Sequence, residues 1–245
     1  MSNSEIAIII NTCQKFYKTT LPLIIDSAKK LQIPANNIYV VVGESDDETD
    51  IIKTYDFNII FCKYINIDYN GIIYFTQTEC GLNELLKYTH FFYTHDTTCF
   101  IENFWEKIKN YSQKCESYIK LQDGATKNIG LINVHWFIKH KKELFSYYIN
   151  YDKSLKMDYK SANFPNKDLI YSKFKNLPRW LNEDSVFLFD DNFEPMGDFF
   201  KNDHLHQFIK PIYNNSHRLG TVYNEPGIIK FQANWGQSDT WNLEL

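Results

Sequence analysis

Three short polar segments carry the residues whose types and spacing could do chemistry. Asn11-Thr12-Cys13 closes the apolar run IAIIIN, Gly43-Glu44-Ser45-Asp46-Asp47 follows NIYVVV, and His95-Asp96-Thr97-Thr98 follows HFFYT. Each lies where a buried strand is expected to end. Open parallel sheets bind ligands at the carboxyl ends of their strands, so the three loops would share one edge. Asp96 has the sharpest potential. A carboxylate there can hold a divalent ion that bridges two phosphates, or a ribose hydroxyl. Thr97 and Thr98 are expected to cap a following helix, whose first amides favour an anion. A plain N-cap role for Asp96 or Thr98 is the competing structural account.

The elements that would position these loops alternate along the first half. Residues 6–11 read as a strand buried on both faces, 37–42 as a second strand, 57–65 as a third strand candidate and 90–94 as another buried strand. Between the first two, Thr20 is an N-cap candidate, with Pro22 in the first turn and Leu23, Ile24, Ala28 and Leu31 at helical spacing. Leu82, Leu85 and Leu86 mark a short helix after Gly81. Phe100, Ile101, Phe104, Trp105, Ile108 and Tyr111 form an amphipathic stripe. The order is β-α-β-α-β, the mark of an open parallel sheet. Beyond about residue 115 the pattern changes. Residues 118–122 and 128–135 read as strands, and 141–151 and 168–175 as helices.

Bulk composition narrows the function classes. The 245 residues carry a net charge of −4, so no basic surplus exists to neutralise a nucleic-acid backbone. Five cysteines, an odd number with no C-x-x-C pair, argue against a zinc site or a disulfide framework. Free thiols suit the cytoplasm. The run at residues 6–10 is far too short to span a membrane, and no transmembrane segment is expected. Aromatic residues reach 17%, and with the abundant Ile, Asn and Lys they match an AT-rich genome such as a virus's. Trp136, Trp180 and Trp235 are candidates to stack on a sugar, or else core residues.

The series of residues 6–12, then Val40-Val41-Val42-Gly43-Glu44-Ser45-Asp46-Asp47, then residues 91–98 resembles the GT-A glycosyltransferases of the family-2 type. The resemblance covers about residues 5–112. It implies an α/β fold of GT-A (Rossmann-like) type, with a mostly parallel sheet flanked by helices in one domain. About residues 5–112 would form the nucleotide-sugar half and 113–245 the acceptor half. It implies a nucleoside held by Asn11, Thr12, Glu44 and Asp96. The diphosphate would meet Thr97 and Arg218, and a Mn²⁺ or Mg²⁺ ion would sit at Asp96. Trp180-Leu181-Asn182-Glu183-Asp184-Ser185 resembles the acceptor-half motif, which implies Glu183 or Asp184 as the base of an inverting displacement. Two features depart from the family pattern. Gly43-Glu44 replaces the usual Asp, and the usual Asp-x-Asp is reduced to one carboxylate, to which His204, His206 or His217 could add a ligand; working without a metal, or lost activity, is the other outcome open to such a site.

The implied partners are a nucleotide-sugar donor and a glycan or other hydroxyl acceptor. Two rivals stand beside this reading. One is nucleotidyl transfer, which would want a glycine-rich basic loop where Asn11-Thr12-Cys13-Gln14-Lys15 has no glycine. The other is a catalytically degenerate protein that only binds glycan or nucleotide. Walker, G-x-S-x-G and G-x-G-x-x-G sequences do not occur.

Overall fold

Strand β1 (Ile6–Cys13) is buried along its whole length. Such a strand must be covered on both faces, and its side chains alternate between them. Ile6, Ile8 and Ile10 join one apolar cluster, while Ala7 and Ile9 join a second on the opposite face. The computed structural model describes residues 6–64, 70–120, 129–149, 185–187, 194–195, 221–223 and 226–230.

The remaining strands are β2 (Ile38–Gly43), β3 (Ile52–Lys53), β4 (Asn58–Phe61), β5 (His90–His95), β6 (Thr98–Phe100), β7 (Tyr118–Lys120), β8 (Gly130–Asn133), β9 (Ser185–Phe187), β10 (Glu194–Pro195), β11 (Thr221–Tyr223) and β12 (Ile228–Lys230). The main sheet runs β3-β4-β2-β1-β5-β8-β7-β9. Its β4-β2-β1-β5 section is parallel throughout. β8 is antiparallel to β5, and β3 is antiparallel to β4. A second sheet, β10-β11-β12-β6, is antiparallel. The architecture is therefore α/β, with a mostly parallel mixed sheet between helices.

Helix α1 (Tyr17–Lys30) and α4 (Phe104–Ser112) cover the Ile6-Ile8-Ile10 face through Leu21, Ile24, Ile25, Ala28, Phe104 and Ile108. Helices α2 (Asn70–Gln77), α3 (Glu79–Leu85) and α5 (Val134–Ile149) lie on the other face, which Ile72, Ile73, Phe75, Leu85 and Phe137 fill. Full burial of one such aliphatic chain contributes roughly 1.5–3 kcal/mol, so two faces of this size dominate the stability. No helix among the described residues is long and apolar enough to cross a membrane.

Four helix starts differ from the sequence expectation. α1 begins at Tyr17, so Thr20 lies in its fourth position and Pro22 in its second turn. The Thr20 hydroxyl is 3.0 Å from the Phe16 carbonyl, a bond back along the helix instead of a cap. The helix expected directly after Asp96 is displaced. β6 intervenes, and α4 starts only at Phe104, behind Asn103 in a left-handed conformation. Thr97 and Thr98 thus cap no helix. The expected 57–65 strand is limited to β4, the helix near Gly81 begins at Glu79 and contains that glycine, and α5 starts at Val134. The expected helix at 168–175 lies outside the described residues.

Gly43 ends β2 where a side chain has no room. A Cβ there would lie 1.8 Å from Asn70 Nδ2 and 2.9 Å from the Tyr64 carbonyl. Gly43→Ala is expected to cost roughly 1–3 kcal/mol through overpacking. Urea unfolding would show a lower midpoint at unchanged slope, and an unchanged midpoint would contradict the Asn70 contact.

His90 starts β5 and is buried, with Nε2 2.8 Å from the Cys115 carbonyl and Nδ1 3.0 Å from Thr89 Oγ1. Burial lowers its pKa below the ordinary histidine value, and the Cys115 carbonyl opposes that shift. The unfolded chain therefore binds the proton more readily. The stability that His90 contributes is full above the unfolded value near ~6.5 and is lost as pH falls through the folded value. Melting curves between about pH 7.5 and 5 should fall more steeply for the wild type than for His90→Gln; parallel curves would contradict the assignment.

Candidate active site

The strand order itself selects a crevice. From β1 the chain steps to β2 and then β4 on one side, and then returns to β5 on the other side of β1. The direction of winding thus reverses between β1 and β5. In open α/β sheets, the carboxyl ends of the strands at such a point form the ligand crevice. The residues there are Thr12 and Cys13 of β1, His95 of β5, and Asp96, with Gly43 and Glu44 at the end of β2.

Strand alternation brings the central group together. Thr12 follows Ile8 and Ile10 onto the α1 face, and Asp96 follows Phe92 and Thr94 onto the same face. Register pairs Asn11 with His95, which puts Thr12 level with Asp96. The Thr12 hydroxyl donates to Asp96 Oδ2 at 2.5 Å. The Thr20 hydroxyl, reaching in from α1, donates to the same oxygen at 2.5 Å. The Asp96 amide donates to the Asn11 carbonyl at 3.1 Å. Hydroxyl bonds to an ionised carboxylate are short and strong, so Asp96 is clasped by two different elements. The sequence treats Thr20 only as a cap. Its place three residues before Leu23, on the helix face toward the sheet, is the one signal that could have found it.

Asn11 sits differently from its expected role. It is 1% exposed, on the α2 face, and its Oδ1 accepts the Gly71 amide at 3.0 Å. That bond satisfies an early amide of α2.

Glu44 adopts φ 59°, uncommon for a residue with a side chain. The surrounding bonds hold it there. Its amide donates to the Tyr64 carbonyl at 3.0 Å, the Ser45 amide to Cys62 at 3.1 Å, and the Gln14 amide to Gly43 at 2.8 Å. Glu44 is half-buried, and so is Asp96. Both carboxylates act on Cys13. Burial first, then the charges of Asp96 and Glu44, push its thiol up to about 12. The end of β1 is thus flanked by an acid on each side.

The turn after Asp96 is closed by its threonines. The Thr98 hydroxyl donates to the His95 carbonyl at 2.7 Å, and Thr94 and Thr98 hydroxyls lie 2.9 Å apart. Half-buried Thr97 occupies the turn itself. The reversed chain pairs with β12, so Lys230 stands opposite Thr98. The sequence offered no local sign of this pairing, because the partner strand lies near the far end of the chain. Glu183, Asp184, Arg218, His204, His206, His217, Trp180 and Trp235 lie outside the described residues. Trp136 is on α5, against His140 at 5.1 Å between ring centres, and packs on the cluster that includes Ile9 and Tyr93. Among the described residues, no three His, Cys, Asp or Glu side chains form a group that could hold a metal ion.

No protein-family model matches the chain, and no curated protein matches it either.

The thiol chemistry of the site is testable. Cys13, Cys62, Cys99 and Cys115 are buried, and burial pushes each thiol up to about 12, while Cys80 is half-buried. In the native protein near pH ~8, a disulfide reagent should modify Cys80 first and the other four only on unfolding. Rapid modification of Cys13 would contradict its place beneath the two acids.

Proposed function

We propose that the chain is a glycosyltransferase that moves a sugar from a nucleotide-diphosphate donor to a hydroxyl acceptor. The observation that carries this reading is the clasped Asp96 carboxylate at the winding reversal between β1 and β5. A fixed acid at a topological switch point is suited to a nucleotide's hydroxyls or to a cation that accompanies its phosphates. The GT-A resemblance of residues 5–112 points to the same edge.

Roles follow from position. Glu44, held in an unusual backbone conformation at the end of β2, would accept hydroxyl bonds from the nucleoside. Backbone strain of this kind concentrates at ligand sites. Thr12 keeps Asp96 oriented. Thr97 and Arg218 would meet the diphosphate. Magnesium-type ions arriving with phosphates need only one or two protein carboxylates, and Asp96 fits that mode for Mn²⁺ or Mg²⁺. Such an ion would offset the charge of the departing diphosphate. In the acceptor half, Glu183 or Asp184 would take the acceptor's hydroxyl proton. The acceptor oxygen then bonds to the anomeric carbon as its bond to the phosphate oxygen breaks, and the nucleoside diphosphate leaves. The five free thiols fit work in the cytoplasm.

One observation favours a second reading. Asp96 Oδ2 already joins Thr12 and Thr20, so the acid contributes to the fold whether or not it meets a ligand. A nucleotide- or glycan-binding protein without turnover would look the same here.

The test is Asp96→Asn, which keeps an acceptor oxygen for the two hydroxyls; alanine would leave both donors without that partner, at about 1–3 kcal/mol. Against a panel of nucleotide sugars with Mn²⁺, the wild type should release nucleoside diphosphate, and Asp96→Asn should do so at least about a hundredfold more slowly. Equal turnover would remove Asp96 from the site. Donor binding without turnover in the wild type would favour the second reading.

A further inference from the structure

The Thr20 hydroxyl has one proton and two acceptors within reach, Asp96 Oδ2 at 2.5 Å and the Phe16 carbonyl at 3.0 Å. Thr20 is 3% exposed, so water is a poor substitute for either. From these distances we propose that Thr20 is a positioning residue for Asp96, which rests on the transferase reading above.

The argument starts from the geometry of a carboxylate. Two donors on one oxygen fix the plane of the group, and so fix where Oδ1 stands. Removing one of the two donors loosens that constraint. Thr12 belongs to β1, which the sheet holds rigidly on both sides. Thr20 belongs to α1, which is anchored further along by Ser27 Oγ accepting the Phe100 amide at 2.9 Å. Because β6 carries Phe100 and follows the Asp96 turn directly, α1 grips that turn at two points, Thr20 and Ser27. The carboxylate is thereby set by the helix as well as by the strand.

The second acceptor gives Thr20 a property not seen in the described bonds of Thr12. When a cation or ligand hydroxyl engages Oδ2, the Thr20 proton can turn back to the Phe16 carbonyl. The donor then stays satisfied within its own helix, and the buried hydroxyl incurs little of the usual penalty for a lost partner. Thr20 can hold Asp96 for arrival of the donor and release it without disrupting α1.

Three chains test this: wild type, Thr20→Val and Thr20→Ser. Valine keeps the shape and removes the hydroxyl, while serine keeps the hydroxyl. Crystal structures should show the Asp96 carboxyl rotated in T20V and unmoved in T20S. Calorimetric titration with UDP, GDP, ADP and CDP, each with Mn²⁺, should show roughly tenfold weaker Kd in T20V for whichever the wild type binds. T20S should restore the wild-type value. A carboxyl unmoved in T20V overturns the proposal. So does a rotated carboxyl with unchanged Kd. Should T20V not fold, Thr20→Ala takes the same arms. A wild type that binds none of the four sinks the transferase reading alone. The Asp96 pose in T20V against T20S then still decides whether Thr20 positions the carboxylate, and an unmoved carboxyl overturns that by itself.

Discussion

Two hydroxyls meeting on one carboxylate oxygen connect parts of the chain that are otherwise separate. Thr12 comes from the central strand, Thr20 from the first helix, and Asp96 from the turn that begins the second sheet. A half-buried charge is tolerated only where bonds replace its hydration. The three residues therefore constrain one another. Moving any one of the elements takes from Asp96 at least one of its two hydroxyl donors. The same bonds tie the ends of β1 and β5, already level by register, to helix α1.

The neighbouring features follow from that constraint. Because Cys13 is buried between Asp96 and Glu44, its thiol is held well above the ordinary range, and Cys13 is suited to packing and not to attack. Because Asn11 points to the opposite face, the other covering layer is fixed as well, through Gly71. Gly71 itself lies close to Ile9 and Tyr93, where an added Cβ would sit 3.0 and 3.1 Å away. The end of β1 thus holds α2 directly through Asn11 and meets α1 only through the Asp96 oxygen that Thr12 and Thr20 share.

Much of this was legible in the sequence, and the reasons for the gaps are specific. Continuous apolar runs gave β1, β2 and β5 because strands covered on both faces leave no other pattern. Period-two alternation, carried one residue further, places Thr12 and Asp96 on a common face. The register that makes them level depends on which strands pair, which no local pattern shows. Helix α2 was missed because Ile72, Ile73, Tyr74 and Phe75 form an unbroken apolar run that gives no helical stripe, and Asn70-Gly71 reads as a turn. The helix expected after Asp96 failed for a different reason. Thr97 and Thr98 have the chemistry of a cap, yet a distant strand, β12, captures the segment first. Local propensity yields to a nonlocal partner there.

The central claim is that a nucleoside diphosphate binds at the carboxyl ends of β1, β2 and β5, against Asp96. The most direct measurement is a backbone amide NMR titration of the labelled chain with UDP, GDP, ADP and CDP, each with Mg²⁺. The account predicts saturable shifts for one of them, concentrated at Thr12, Cys13, Glu44, Ser45 and the turn from Asp96 to Thr98. Shifts confined to the opposite end of the sheet, around His90 and Asn133, or none with any of the four, would contradict it.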